Sequence, residues 1–485
     1  MLRRSVVLAA LAALCSYGFV ALARLDYPFE IEWMEGGSWG QVERVRAGEG
    51  LYGPPSLEFT AFIYPPLYFY VASWISAPLG GGFAPLRAIS FAASLACFWM
   101  VGWLVSRDSG DRRAGLLAAG LFAATFANSG SWFDVARVDS LFLALTLGSV
   151  CVLRFGASTA AGVVAGLLGA AAFFTKQTAL LVLVPFVVVA VRTRGRLWGA
   201  FCATLATAVV LGCLAFTARS DGWFGYYVLQ LPAQHAPRWQ KLESFWRRDL
   251  LATLPIAVAA AVVFFARTGW RGVGDKRLFY LCFASGAVGA SWFSRIHSGG
   301  YLNVLMPVHA AAAVLFGLGL AACLRAPLTT RSRRVEMLVH CLCLAQFALL
   351  AYDPRAQIPG SRDLRAGQAL VARIRAVDGD VLVVHHGYLP ALAGKPTTAQ
   401  WMAIKDVLRG SPGPESDRLE DEIRAAIREQ RYAAIVVDDE WYADELAESY
   451  RLLGAAFEDD EAFWPRTGQP LRPESVYVRR ELPAP

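Results

Sequence analysis

No cysteine follows Cys343. The nine cysteines, at 15, 97, 151, 202, 213, 282, 323, 341 and 343, all fall within apolar segments. That placement argues against a disulfide framework and against a zinc site. An internal repeat is also lacking, which argues against the paired halves of many transporters. No low-complexity tract is present. Leu2–Ala23 begins with Arg3-Arg4 and turns apolar, as a signal peptide does, but no A-x-A site with a polar start follows it. It reads as a retained first helix.

What the 485 residues have in quantity is apolar surface. They are 56% hydrophobic, and mean hydropathy is +0.41. Apolar runs of about 16–22 residues recur up to residue 352, each long enough to cross a hydrocarbon core of roughly 30 Å. Backbone groups in lipid must be satisfied within the segment, so these runs predict helices. The expected spans are 5–23, 86–105, 114–128, 139–155, 158–174, 175–191, 197–218, 250–267, 278–294, 301–324 and 335–352. The net charge of +7 reflects arginine in the short loops between them, not a nucleic-acid surface.

Those loops set the sidedness. Arg107, Arg112 and Arg113 share one, and Arg192, Arg194 and Arg196 the next. Arg271, Lys276 and Arg277 follow, then Arg325, Arg331, Arg333 and Arg334. The positive-inside rule places all four in the cytoplasm with the N-terminus. Loop 24–63 instead holds seven acids (Asp26, Glu30, Glu32, Glu35, Glu43, Glu49, Glu58) against three arginines. A span at Tyr64–Gly80 would reverse every later loop. That stretch therefore reads as a juxtamembrane or re-entrant piece, with Pro65-Pro66 as its entry kink. The expected architecture is a polytopic α-helical membrane domain over 1–352, with 24–85 as its first extracytoplasmic loop. Residues 353–485 form a small extracytoplasmic α/β domain. In it, Val381–Val384 and Ile435–Val437 read as buried parallel strands, and Leu364–Ala376 and Leu419–Gln430 as amphipathic helices.

The unusual polar residues collect on the outer side. Carboxylates beside Trp and Tyr in DYPFEIEWMEGGSWG suit sugar binding or a general base; a solvated acidic loop is the plainer alternative. Asp134, Arg137 and Asp139 stand at the lip of an apolar run, where helix capping explains one aspartate but not the trio. Lys176 interrupts a long apolar stretch. It either keeps a hairpin tip wet or awaits a lipid phosphate. Arg295 and His297, in SRIHSGGYLN, allow the same two readings. His235 is a weaker case, and His309 within a span reads as packed. His385-His386 at a strand end would point to opposite faces, a poor metal pair.

In order, these pieces are Glu35-Gly36, Gly50-Leu51-Tyr52, Tyr64-Pro65-Pro66-Leu67-Tyr68, Arg137 with Asp139, and Thr175-Lys176. The pattern resembles the GT-C superfamily of polyprenyl-phosphate-sugar-dependent glycosyltransferases, and within it the bacterial family 39 proteins, which include aminoarabinose transferases and relatives of protein O-mannosyltransferases. The resemblance implies inverting transfer of a sugar from a polyprenyl phosphate to a lipid, glycan or protein acceptor, outside the inner membrane. Glu35 would be the base or acceptor-positioning acid, with Asp139 as its partner. Arg137, Lys176, Arg295 and His297 would hold the donor phosphate. Glu32, Asp134, Tyr64 and Tyr68 would line the cavity. No cofactor is required, though some members of the superfamily use a divalent cation at the outer carboxylates, which Glu35 and Asp139 could provide here. The family's first-loop motif often reads Asp-Glu-Gly, and Met34 occupies the aspartate position here; Glu32 or Glu30 is left to supply that acid. A flippase and an inactive scaffolding relative are the rival classes.

Overall fold

A computed structural model describes residues 2–268, 276–324 and 333–480. Arg271, Arg325 and Arg331 of the basic loops lie outside the described residues.

The chain opens with α1 (Leu2–Arg24), and an irregular turn leads to the short α2 (Glu35–Arg46). The helices α3 (Leu67–Leu79), α4 (Phe83–Ser109), α5 (Arg112–Ala124), α6 (Asp139–Phe155) and α7 (Thr159–Thr175) follow. The expected span at 175–191 is broken into α8 (Ala179–Leu183) and α9 (Phe186–Thr193). Pro185 stands at the break, where it has no N–H for the helical ladder. Then come α10 (Arg196–Arg219), α11 (Pro255–Arg267), α12 (Lys276–Ile296), α13 (Met306–Leu324) and α14 (Arg333–Leu349).

Helices thus occupy all eleven expected positions, but they are not eleven equal spans. Among the described residues, four helical stretches are long and apolar enough to cross a membrane: Leu2–Arg24, Phe83–Ser109, Arg196–Arg219 and Leu302–Leu324. The 250–267 region is a helix pair bent by 87° at its break before Pro255. Helix α3 rises only about 20 Å over its length, short of the roughly 30 Å core, which agrees with a juxtamembrane piece.

Small residues let the helices approach closely, as they do where lipid removes the hydrophobic drive for association. Gly162 and Gly166 of α7 back onto α10; a Cβ on Gly166 would stand 2.7 Å from that of Thr204. Gly120 of α5 lies against Ala10 of α1 in the same way. At one end of the bundle, Asp108 of α4 ties α6 and α12 together. It accepts from Arg154 at 2.7 and 3.0 Å and from the Tyr280 hydroxyl at 2.5 Å.

The acid-rich loop and the C-terminal segment meet at the opposite end. Beyond α15 (Ser361–Ala376), strand β1 (Val381–Val383) pairs in parallel with β2 (Ala434–Val437), where the sequence predicts two parallel strands. Helices α16 (Trp401–Leu408) and α17 (Pro414–Arg428) lie between these strands in sequence. Strands β3 (Tyr450–Ala455) and β4 (Ser475–Arg479) complete a sheet of order β1-β2-β4-β3. Phe29, Val42, Leu57 and Phe62 of the first loop share one hydrophobic core with Leu370, Val383, Tyr388 and Ile435. Loop and tail therefore fold as one body over the mouth of the bundle.

Candidate active site

Four buried acid–base pairs converge at that mouth, and they are not alike. The first joins Glu35 to Arg87, which α4 carries near its start. Arg87 Nε and Nη2 grip the two carboxylate oxygens at 3.0 and 2.7 Å. The amides of Ile31 and Ala136 donate to the same carboxylate at 2.7 and 2.6 Å. Arg87 spends its remaining protons on the carbonyls of Arg24, Tyr27 and Phe29. Burial alone would raise the Glu35 pKa, but Arg87 and the amide donors outweigh it, and the net value lies below that of an ordinary glutamate. Glu35 is therefore a sealed joint between the first loop, α4 and the 131–138 lip. It has no lone pair left for an incoming proton, which corrects the expectation that it is the base.

The second pair corrects Asp134. It ion-pairs with Arg24 at the end of α1, Nε lying 2.5 Å from Oδ2, and Arg24 also donates to the Ser131 carbonyl. Both side chains are buried, so Asp134 latches the lip to α1 and does not line a cavity.

The third pair is Asp139 with Lys176. The lysine Nζ donates to Oδ1 at 2.6 Å, and Asn303 Nδ2 reaches the same oxygen at 3.0 Å. Trp132 Nε1 donates to Oδ2 at 2.9 Å. Asp139 is occupied on both oxygens, whereas Lys176 has two protons left of its three. Both line a narrow cleft with about 10 Å³ of water-accessible space, with Phe142, Thr178, Ser294 and Asn303 among its walls.

The fourth pair is different. Glu32 is wholly buried, yet neither of its oxygens makes a hydrogen bond of ordinary geometry. Its nearest cation is Arg137, whose Nε stands 3.7 Å away and is itself without a hydrogen-bond partner. Burial pushes the Glu32 pKa up to about 8; Arg137 and the Met34 amide oppose this, and the nearby Glu35 and Glu30 charges add to it. Buried polar groups are normally hydrogen-bonded, so a buried carboxylate with only a loose ion pair is a candidate functional position. Arg137 is held by the Met34 carbonyl at 3.4 Å and the Tyr64 hydroxyl at 3.2 Å. The Tyr64 ring lies 5.5 Å from the Arg137 guanidinium and 5.9 Å from Lys176 Nζ, so it joins the third and fourth pairs into one site.

Three more expectations change. The Tyr68 side chain is fully buried and its hydroxyl donates to the Leu86 carbonyl, so it packs α3 on α4 and lines no entry. Arg295 pairs with Asp249 at 2.8 Å and donates to the Gly300 carbonyl, so its charge is already partnered within the protein. His297 has both ring nitrogens engaged, with the Pro232 carbonyl at 3.2 Å and the Gly299 amide at 3.2 Å. Burial lowers its pKa, and Arg409, Lys176 and Arg238 lower it further, so it is a neutral joint and not a cation. Glu35 and Asp139 do not fit a divalent ion either, since Arg87 and Lys176 already neutralise them. Among the described residues no cluster of three or more His, Cys, Asp or Glu could hold a metal.

The C-terminal segment supplies a wall that the sequence did not reveal. Thr467 forms a parallel bridge with Glu32, and its hydroxyl donates to the Gly130 carbonyl. Gly468 follows with φ +88°, and a Cβ there would stand 3.0 Å from Glu32 Oε1 and 2.6 Å from the Trp33 ring. Only glycine allows the strap to pass this close. His385 and His386 both face Asp438, because the chain bends directly after β1. His386 also bridges to Glu30, two residues before Glu32.

A helical bundle capped at its mouth by a loop and tail that bury an acid near two cations is the GT-C fold, which the chain shares with solved glycosyltransferase structures. More particularly, residues 62–288 match the model of Glycosyltransferase family 87. The motif order had pointed to family 39 relatives; the matched stretch begins after the first-loop motif in which Met34 departs from the pattern. Among solved structures the chain is similar to ArnT from Cupriavidus metallidurans bound to undecaprenyl phosphate. The TM-score is 0.62 at 15% identity, over 98% of this chain and 97% of that one. It is also similar to the oligosaccharyltransferase AglB from Archaeoglobus fulgidus, in complex with an inhibitory peptide and a dolichol-phosphate, at TM-score 0.52 and 11% identity over 88% and 69% of the chains. Arabinofuranosyltransferase AftD from Mycobacteria gives 0.53 and 16% over 98% and 41%. No curated protein matches the chain in sequence.

Proposed function

We propose that the protein is an inverting glycosyltransferase that takes its sugar from a polyprenyl-phosphate donor and works on the extracytoplasmic face of the inner membrane. The observation that carries this reading is the bare, buried Glu32 carboxylate set against Arg137 and linked through Tyr64 to Lys176. Glu32 takes the proton of an acceptor hydroxyl as the acceptor oxygen bonds to the anomeric carbon. The bond from that carbon to the phosphate oxygen breaks on the opposite face, and the phosphate leaves with the electron pair. Lys176, with its two spare protons, and Arg137 receive that negative charge. The leaving group is already anionic, so holding its charge matters more than protonating it. A pKa near the working pH suits a general base.

The similarity to a structure bound to undecaprenyl phosphate supports the choice of donor. Membrane lipids surround the polyprenyl tail, while lipid, glycan and protein all remain open as acceptors. Sidedness is read from the arginine-rich loops, which support an acid-rich mouth outside the cytoplasm. Glu32, as the acid in place of the one missing at Met34, supports an active enzyme over an inactive scaffold. The test is transfer from labelled polyprenyl-phosphate sugars to cell-envelope acceptors by the purified chain in nanodiscs. Glu32→Gln abolishes transfer and leaves the fold intact. Donor translocation without transfer in the wild type would favour the flippase instead.

A further inference from the structure

A second cleft lies between α2 and the C-terminal segment, apart from the one that Lys176 lines. It is a partly open groove with about 70 Å³ of water-accessible space, room for the edge of a ligand and not for a whole one. Gln41 lines it and is buried. Its Nε2 donates to the Thr60 carbonyl at 3.1 Å, which fixes the amide orientation. Its Oε1 then has no hydrogen-bond partner in the protein, and neither has the hydroxyl of Thr398 across the cleft. Two unpartnered polar atoms, one an acceptor and one a hydroxyl, belong to the lining of one cleft, and such atoms call for a hydrogen-bonding ligand. Trp39, Phe59 and Tyr388 supply aromatic surface to the same walls. The charges do not suit an anion: Glu43 pairs with Arg46 and Glu58 with Arg431, so no cation stands free among the lining residues. Gly40 opens the floor, since a Cβ added there would meet nothing within 4 Å.

The cleft also has a physical connection to the site. Gln400, in its wall, donates to the Trp33 carbonyl at 3.2 Å, and Trp33 follows Glu32 in the same turn. We infer that this cleft binds a neutral oligosaccharide stretch of the acceptor, holding the glycan against the turn that carries Glu32. The inference rests on the glycosyltransferase reading for the word acceptor, but not for the binding itself.

The experiment measures binding without donor. The full chain in nanodiscs is titrated with three neutral hexasaccharides, of mannose, glucose and galactose, by saturation-transfer NMR and calorimetry. At least one binds. Gly40→Trp fills the floor and removes binding. Thr398→Val deletes one hydroxyl and weakens it about fivefold, the scale of one hydrogen bond. Glu32→Gln and Lys176→Met leave it unchanged. If Gly40→Trp fails to fold, Thr398→Val still decides. No binding to any of the three, or equal binding by wild type and Thr398→Val, overturns the inference. Sugar binding without transfer overturns the function proposed above and leaves the cleft standing. Transfer without sugar binding does the reverse.

Discussion

Glu35 and Glu32 lie three residues apart on one turn, and the protein treats them oppositely. Glu35 is clasped by Arg87 and by backbone amides until its carboxylate is saturated. Glu32 is buried as deeply, yet its only cation stands at 3.7 Å. A carboxylate with every lone pair spent holds the fold together. One left bare in a dry site keeps its basicity for a substrate. The saturated pair fixes the turn, and the turn holds the bare acid where it is. On the function proposed above, the two residues are one device with a rigid half and a reactive half.

The comparison breaks most sharply on substitution of the reactive half. Glu32→Gln lowers turnover about 10²–10⁴-fold, the usual contribution of a general base. Its melting temperature falls less than that of the Arg87 variant below, because the 3.7 Å contact to Arg137 is looser than the clasp on Glu35. Thermal unfolding in nanodiscs read beside transfer rates checks both. Substitution of the rigid half has the opposite signature. Arg87→Met leaves Glu35 charged and unpaired, at about 3–5 kcal/mol of stability, the cost of breaking a buried ion pair. The loss is read as a fall in melting temperature, and activity follows the folded fraction.

Smaller effects sharpen the picture. Lys176→Met removes a charge-assisted donor worth about 1.5–3 kcal/mol, and it also leaves Asp139 unpaired. It raises the donor KM and lowers kcat, while Lys176→Arg restores part of both. The pH dependence follows from the sign of the Glu32 shift. Its pKa is raised to about 8, and the base must be unprotonated, so activity climbs as pH rises through 8 and is lost below it. Glu30→Gln removes a neighbouring negative charge that helps to raise that value, so the limb moves to lower pH. A pH-rate profile of kcat/KM for both proteins reads the shift. Tyr64→Phe has the mildest effect: it deletes the hydroxyl that Arg137 holds, for about 0.5–1.5 kcal/mol.

The sequence made the helix positions, the two parallel strands and the Asp139–Lys176 neighbourhood legible, because periodicity and lone charges in apolar runs are local signals. It pointed to Glu35 over Glu32 because a motif gives residue type without partners. Glu35 is neutralised from 52 residues away and Asp134 from 110 residues away, and no spacing rule reaches that far. One clue was available: Arg87 at the start of an apolar span is costly in lipid unless a carboxylate meets it. Arg24 carried no such mark, because it stands among ordinary loop charges. The Thr467–Gly468 strap was illegible for another reason. A tail that joins the core of a loop more than 400 residues earlier gives no local pattern.

The most direct measurement compares Glu32→Gln and Glu35→Gln side by side in nanodiscs, with transfer rate and melting temperature read on each. The account expects Glu32→Gln to be folded and inactive, and Glu35→Gln to be destabilised with activity tracking its folded fraction. A folded, fully active Glu32→Gln beside a folded, inactive Glu35→Gln would contradict it.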